Sequence, residues 1–438
     1  MNELLLVPDD VLFFRDGRPM TGSLSGHGAR LPEPHVLSGA LHVACHRAFQ
    51  DDPGAGHRHR FRRRGTRQAA PESNRGERFG ALTNAGPFPV KRSEDSEPIW
   101  YFPIPSDLTA KTLTPGLLPM RPEELLGESS LPEKLWPLAN QFPPSKVEMP
   151  QWLSKEGFES YLRAESAQDA FLTTGEVFTA EATMGIGMDP ETGATRDGAF
   201  FTKSQLRFHR DFCLGTYASL PAGKNSEGDL LSRLFPSAGR ISLGGESRVC
   251  SVDRREPEEI SFPQGPKFAG NYVKWVLLSP AIFPHLPAEN SRTSSHPGGW
   301  LPSWINEETF AVEMLDGPGR RKAERLNLKP GQPIRARLVA ARIAHGLPVT
   351  GWTLGREERS AGARSTLLGV PAGSVYYFEA ENESEAQKLA DALNWHGPLG
   401  ENSGTRIVNR RSALMGEKGY GIGVCGSWQP AKSSTDVG

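Results

Sequence analysis

From residue 98 to residue 150 the chain carries eleven prolines in 53 positions. Each proline lacks a backbone N–H and holds φ near about −65°, so neither a long helix nor a central strand can run through this stretch. It is expected to be an extended segment crossing a surface, with one short strand at 99–104. The same restraint acts more mildly elsewhere: 47 glycines and 37 prolines make up about a fifth of the 438 residues, below the level of a low-complexity chain. With 37% apolar residues, such a chain can build real cores but must spend much of its length in loops. At roughly 100–200 residues per domain, two or three domains are expected.

The apolar runs are short and bounded by turn residues. Residues 3–14 read as strand, turn and strand around Pro8-Asp9-Asp10, and 35–49 have helical spacing after an acceptable Pro-Glu-Pro start. A short helix at 151–162 precedes strands at 176–187, 198–209 and 211–220. The first two of these form a β-hairpin whose tip is rich in turn residues. Residues 226–235 read as a short helix, and 240–251 as a strand pair around Gly244-Gly245. A second unit is expected from about 267, with strands at 273–278, 334–344, 347–354 and 373–380. A long irregular stretch, 285–333, lies inside it. Residues 384–393 form an amphipathic helix with Ser384 as N-cap and Gln387 in the capping-box position. A Gly-rich loop then runs into a last strand. Strands interleaved with few helices in both halves fit an α+β class with antiparallel sheets, of the split βαβ kind.

Charge narrows the function. Fifty Lys and Arg face 51 Asp and Glu, so the chain is not a globally basic nucleic-acid glove, although a local basic patch remains open. The sharpest local shift is at 51–80, which has eight Arg, four acids and two aromatics. Such a segment cannot bury a core and is expected to be a disordered insertion. It is either a solvated run or a source of non-specific, salt-sensitive RNA affinity. Cys45, Cys213, Cys250 and Cys425 are far apart, which excludes CxxC zinc spacing and a disulfide framework. The N-terminus lacks the basic region of a signal peptide, and no window approaches 18 apolar residues. A soluble, cytoplasmic protein with no membrane contact is expected.

Familiar catalytic motifs fail on inspection. Gly421-Ile422-Gly423-Val424-Cys425-Gly426 matches a dinucleotide fingerprint by letter, but too few residues follow to supply the helix and the acidic partner. The glycines at 416, 419, 421 and 423 instead suit either a tight bend or an anion cradle of open N–H groups, with charge from Lys418 and a stacking face from Tyr420. Gly223-Lys224-Asn225 does not complete a Walker A loop, and GxSxG is absent. His42 and His46 share a helix face but lack the HExxH glutamate, so packing accounts for them better than metal. His27, His35 and His209 show no spacing that marks an acid–base pair. Asp9-Asp10 are accounted for by turn chemistry. No catalytic residue, metal site or cofactor is expected.

One ordered set of segments is more specific than any single motif. It comprises Leu12-Phe13-Phe14-Arg15-Asp16-Gly17-Arg18-Pro19, Leu243-Gly244-Gly245-Glu246-Ser247-Arg248, Gly351-Trp352, Pro371–Phe378, and the terminal Gly-rich loop with Gly426-Ser427-Trp428. In this order the chain resembles the third-subunit family of the Cmr complex, the type III-B CRISPR effector, within the RAMP superfamily of RNA-binding proteins. The resemblance runs from residue 12 to residue 428.

The resemblance implies two ferredoxin-like (RRM-like) halves, at 1–266 and 267–438. The first half would carry the insertions 51–80 and 98–150 and a hairpin thumb at 176–210. It implies a non-catalytic place at the foot of the complex. There the chain would hold the 5′ handle of the CRISPR RNA, dock the large polymerase-like subunit and adjoin the repeating backbone subunit, meeting target RNA only indirectly.

The residues agree with such a role. Arg15 and Arg18 flank a turn where they can clamp a phosphate. Gly244 and Gly245 with Arg240 and Arg248 offer open backbone beside charge, and so do Lys418, Gly419, Tyr420 and Gly421. Lys203, Gln205 and Arg207 alternate onto one face of the hairpin's return strand. Two rival readings are an endoribonuclease of the RAMP type that processes precursor CRISPR RNA, and a protein–protein adaptor.

Overall fold

The structure, a computed structural model, describes residues 1–14, 24–26, 31–49, 81–93, 96–110, 117–124, 131–132, 134–141, 143, 148–165, 171–221, 228–288, 295–353, 362–363, 365–401 and 403–431. The expected 51–80 insertion, and Arg15 and Arg18, lie outside the described residues. The chain divides into two compact units. The first comprises Met1–Trp100, Gly175–Ile260 and Glu417–Gly419; the second comprises Tyr101–Thr174, Ser261–Gly416 and Tyr420–Gly438.

In the first unit, strands Asn2–Pro8, Thr83–Lys91, Phe212–Ser219 and Val249–Arg255 form an antiparallel sheet in the spatial order second, third, first, fourth. Helix Pro34–Ala48 follows the first strand and helix Leu230–Leu234 the third. This is the ferredoxin-like order, a split βαβ unit used twice. The first strand is central, and Leu4, Leu5 and Leu6 are fully buried, as an unbroken apolar run in a sheet covered on both faces should be. Gly215 is required where it stands: a Cβ would lie 2.4 Å from Val90 and 2.6 Å from Trp100. The buried Glu3 accepts hydrogen bonds from Trp100 Nε1 at 3.2 Å and Tyr217 Oη at 3.1 Å, and burial raises its pKa. Helix Pro34–Ala48 buries Leu37, Ser38, Leu41 and Cys45, whereas Val43 points to solvent. The inner stripe of this helix runs through Leu37 and Leu41.

The second unit repeats the order. Strands Tyr272–Leu277, Ala336–Arg342, Val375–Ala380 and Gly423–Ser427 again stand second, third, first, fourth, all antiparallel. Helix Glu383–Leu393 covers one face through Ala386, Leu389, Ala390 and Leu393. Its N-cap is Asn382, whose side chain accepts the Glu385 N–H at 3.0 Å, so Ser384 already lies within the helix. Gln387 is likewise not a capping residue, since its amide donates to Asp391 at 2.8 Å. The place of the other helix is taken by the connection between the first two strands, where Leu301, Ile305, Phe310 and Val312 join the same core. That connection, expected to be irregular, also contains a short helix, Arg320–Leu326.

Residues 101–174, which hold most of the proline-rich stretch, group with the second unit and not with the first. Tyr101–Pro103 pair with strand Trp152–Ser154, which pairs with Phe171–Leu172. The helix expected from 151 therefore begins at Lys155, capped by Ser154 Oγ, which accepts the Gly157 N–H at 3.2 Å. Asp107 pins this layer to the sheet: its carboxylate accepts the Tyr161 hydroxyl at 2.9 Å and the Tyr377 hydroxyl at 2.5 Å.

Candidate nucleic-acid interface

The expected hairpin projects from the first unit as strands Phe178–Met188 and Thr195–Phe208, in register from Phe178 opposite Phe208 to Ile186 opposite Phe200. A short strand, Leu24–Gly26, runs parallel along its outer edge. Period-two alternation decides its two faces. One carries Met184, Ile186 and Met188, with Phe200 across from Ile186. All four are at least half exposed, and Met184 is 76% exposed. The other carries Glu181, Thr183, Lys203, Gln205 and Arg207. Sequence reading singled out the polar face and overlooked the apolar one, although the alternation in Ala182-Thr183-Met184-Gly185-Ile186-Gly187-Met188 contains it.

At the hairpin base, segments distant in sequence converge. The backbone of Leu12 pairs with Leu206, N–H to O at 2.8 and 2.7 Å. The next residue, Phe13, accepts the Gly245 N–H at 2.8 Å. The first and second family-like motifs are thus neighbours. Gly244 has φ +83°, and a Cβ there would lie 2.5 Å from the Phe13 carbonyl. Glu246 and Ser247 follow at φ +57° and +55°, a left-handed pair costly for non-glycine residues and a pattern that gathers at functional sites. The turn aims the Glu246 carboxylate at Lys203, with Gln205 at 3.2 Å and Arg248 at 3.3 Å.

Each expected cation here has an acidic partner. Lys203 pairs with Glu246; Arg207 pairs with Glu181 and, at 2.9 Å, with Asp10; Arg240 pairs with Asp9; Arg248 reaches Asp10 at 3.5 Å and Glu246. The pairing lowers the pKa of Asp9 through Arg240, of Asp10 through Arg207 and of Glu246 through Lys203. Asp9 and Asp10 take different partners and both neutralise arginines: Asp9 binds Arg240, and Asp10 binds Arg207 and Arg248. Among the described residues the cluster is therefore a balanced lattice of four cations and four acids, not an open basic patch. The Gly245 N–H, expected to be open to an anion, is used by Phe13.

The Gly-rich loop is not part of this cluster. Lys418 and Gly419 lie against Asn84 in the first unit, with the Lys418 carbonyl accepting from Asn84 Nδ2 at 3.1 Å. Tyr420 and Gly421 belong to the second unit. Tyr420 is fully buried beside Ile282 and Val349, so it offers no stacking face. Gly421 has φ +74°, its N–H donates to the Pro280 carbonyl at 2.7 Å, and a Cβ would lie 2.0 Å from Ser412 N. Gly421 thus serves close packing ahead of the last strand, and its N–H is not open to an anion.

His209 Nε2 donates to the Gly175 carbonyl, 2.9 Å away; His35 lies in the first turn of helix Pro34–Ala48; His27 is outside the described residues. All four cysteines are free and buried, and burial pushes the thiols of Cys45, Cys213 and Cys250 up to about 12. Among the described residues no group of three or more His, Cys, Asp or Glu is placed to hold a metal. No helix among them is long and apolar enough to cross a membrane.

The order of these segments has a counterpart among known families. The model of the CRISPR-associated protein family Cas_Cmr3 matches residues 4–428. The chain belongs to the Cas_Cmr3 family. It is thus a subunit of a type III CRISPR effector of the Cmr type. No curated protein matches it. Similar solved structures include a chain of a type III-B Cmr-beta complex bound to cognate target RNA and AMPPnP (11% identity, 87% of this chain and 86% of that one, TM-score 0.41). Others are a chain of a Csm3–Csm4 subcomplex of the type III-A interference complex (10%, 87% and 93%, TM-score 0.35) and one of a Csm1–Csm4 cassette with pppApA (14%, 87% and 87%, TM-score 0.31). The Cas_Cmr3 match takes in both motifs at the hairpin base and both sheets.

Proposed function

We propose that this Cas_Cmr3 chain is a non-catalytic RNA-holding subunit that clamps the 5′ handle of the CRISPR RNA and docks the large polymerase-like subunit at the foot of the complex, beside the repeating backbone subunit. The observation that carries the reading is the hairpin: a two-stranded ribbon with Met184, Ile186, Met188 and Phe200 exposed on one face. Exposed apolar side chains of this kind cost solubility and invite aggregation unless something covers them. Methionine, isoleucine and phenylalanine are the residue types that wedge between bases and pack on unstacked ones. The base of the ribbon supplies the phosphate chemistry. Lys203, Arg207, Arg240 and Arg248 are preset by Asp9, Asp10, Glu181 and Glu246, and an incoming phosphate takes the place of those carboxylates. Exchange of one anion for another yields little net affinity, so the isolated chain binds RNA weakly and a partner completes the site. Arg15 and Arg18, which follow Phe14 in the sequence, are assigned to phosphate contact.

The test is filter retention with handle RNA and a scrambled control, with and without the large subunit. A Met184→Asp/Ile186→Asp variant should melt as wild type does but lose handle-selective binding by tenfold or more. Wild-type retention by that variant would refute the wedge.

A further inference from the structure

A second cationic surface lies in the other unit, far in sequence from any motif considered above. Residues 316–332, Asp-Gly-Pro-Gly-Arg-Arg-Lys-Ala-Glu-Arg-Leu-Asn-Leu-Lys-Pro-Gly-Gln, form a closed loop. Its neck is fastened by the backbone: Asp316 N–H to Gln332 O at 3.0 Å and Gly331 N–H to Pro318 O at 2.9 Å. Asp316 Oδ1 accepts the Gln332 N–H at 2.7 Å. Gly317 and Gly331 cross so closely that a Cβ on Gly331 would lie 2.4 Å from Gly317 N. The loop carries helix Arg320–Leu326, which ends at Asn327 in the left-handed region and is tied back by Leu328 N–H to Ala323 O at 2.9 Å. Compact loops with joined ends are often functional.

This loop gives the fold almost nothing. Ala323 is its buried residue, at 1% exposure. Both of its acids are committed: Glu324 to Arg320 at 3.2 Å, and Asp316 to the neck and to Lys388 at 3.6 Å. Arg321, Lys322, Arg325 and Lys329 are exposed and make no ion pair among the described residues. Arg321 and Arg325 stand at i,i+4, and Lys322 and Arg325 at i,i+3, spacings at which like charges repel. A closed loop that holds together four cations with no ion pair among the described residues contrasts with the hairpin base, where Lys203, Arg207, Arg240 and Arg248 are all paired. The arrangement lacks the acid that a structural role would supply and has the multiple exposed cations that a polyphosphate needs.

We propose that the Asp316–Gln332 loop is a sequence-independent contact for the sugar–phosphate backbone of an RNA strand, separate from the handle clamp. Arg321, Lys322, Arg325 and Lys329 each take a phosphate. The contact goes beyond the handle reading and stands or falls without it.

The experiment uses the full chain, a 30-nucleotide single-stranded RNA without repeat sequence, and the handle RNA, with affinity measured across a salt series. Neutralising one phosphate contact lowers the slope of log Kobs against log salt by about 0.7 on a single strand. The Arg321→Gln/Lys322→Gln/Arg325→Gln/Lys329→Gln variant should therefore lose roughly 3 units of slope on both RNAs alike. The hairpin variant Met184→Asp/Ile186→Asp should lose handle selectivity and keep that slope. If the quadruple variant does not fold, Arg321→Gln and Arg325→Gln singly should each lose about 0.7. An unchanged slope overturns the proposal. So does a variant that binds both RNAs normally but no longer co-purifies with the large subunit, since the loop would then be a protein contact.

Discussion

Asp107→Asn tests whether the proline-rich layer is held by one buried charge. Asp107 is fully buried, and its carboxylate accepts two tyrosine hydroxyls, Tyr161 at 2.9 Å and Tyr377 at 2.5 Å. The opposite charge is Lys274, 1% exposed, which donates to the Tyr161 carbonyl at 3.0 Å and lies 3.4 Å from the centre of that ring. Asparagine keeps the shape but strands the ammonium. Removing one member of a buried pair costs about 3–5 kcal/mol. In a unit of 150–250 residues each kcal/mol shifts Tm by about 2–4 °C, so the second unit should melt roughly 10 °C lower. The double variant Asp107→Asn/Lys274→Met should recover part of the loss, with a coupling of about 0.5–3 kcal/mol. The assay is urea unfolding followed by tryptophan fluorescence. A pH series adds an independent check. Burial lowers the Lys274 pKa to about 8 from 10.5. Between those values the unfolded chain binds a proton that the folded chain does not, so stability rises with pH across that window. Lys274→Met should flatten the rise. An Asp107→Asn cost below about 0.5 kcal/mol, typical of an unimportant surface change, together with additive single effects would refute the reasoning.

Three further outcomes are expected. Gly421→Val places a Cβ where Ser412 N lies 2.0 Å away, at φ +74°; it should abolish soluble expression or expose the chain to limited proteolysis, rather than weaken RNA binding alone. Burial lowers the His396 pKa to about 4 from 6.5; the unfolded chain therefore gains the proton first, stability falls as pH drops through that window, and His396→Phe should remove this slope in urea titrations at pH 4 and 7. Arg207→Ala breaks exposed pairs with Glu181 and Asp10, so it should change the unfolding free energy by no more than about 1 kcal/mol.

Much of the fold was legible because its signals are local. The run Leu4-Leu5-Leu6 marks a strand buried on both faces; the spacing of Ala386, Leu389 and Leu393 marks a helix; the turn-rich segment between two strands marks the hairpin. Boundaries slipped where a long-range partner intervened. Residues 152–154 became strand because Tyr101–Pro103 pair with them. The capping role passed from Ser384 to Asn382, whose side chain reaches the Glu385 N–H.

The candidate site was less legible because charge type shows in a sequence and charge pairing does not. Lys203 and Arg207 on the hairpin strand and Arg240 and Arg248 beside Gly244-Gly245 are visible as cations in the sequence, but their acids are not: Asp9, for one, lies 231 residues from its partner Arg240. The sequence by itself determined the family, through an ordered set of short motifs, and the class of the fold, through its periodicities and its prolines. Only the tertiary structure decided which cations are neutralised at the hairpin base and which, on the Asp316–Gln332 loop, have no ion pair among the described residues. It alone buried Tyr420 and exposed Met184. Burial and ion pairing depend on which surfaces meet across hundreds of residues, whereas periodicity is a property of neighbours.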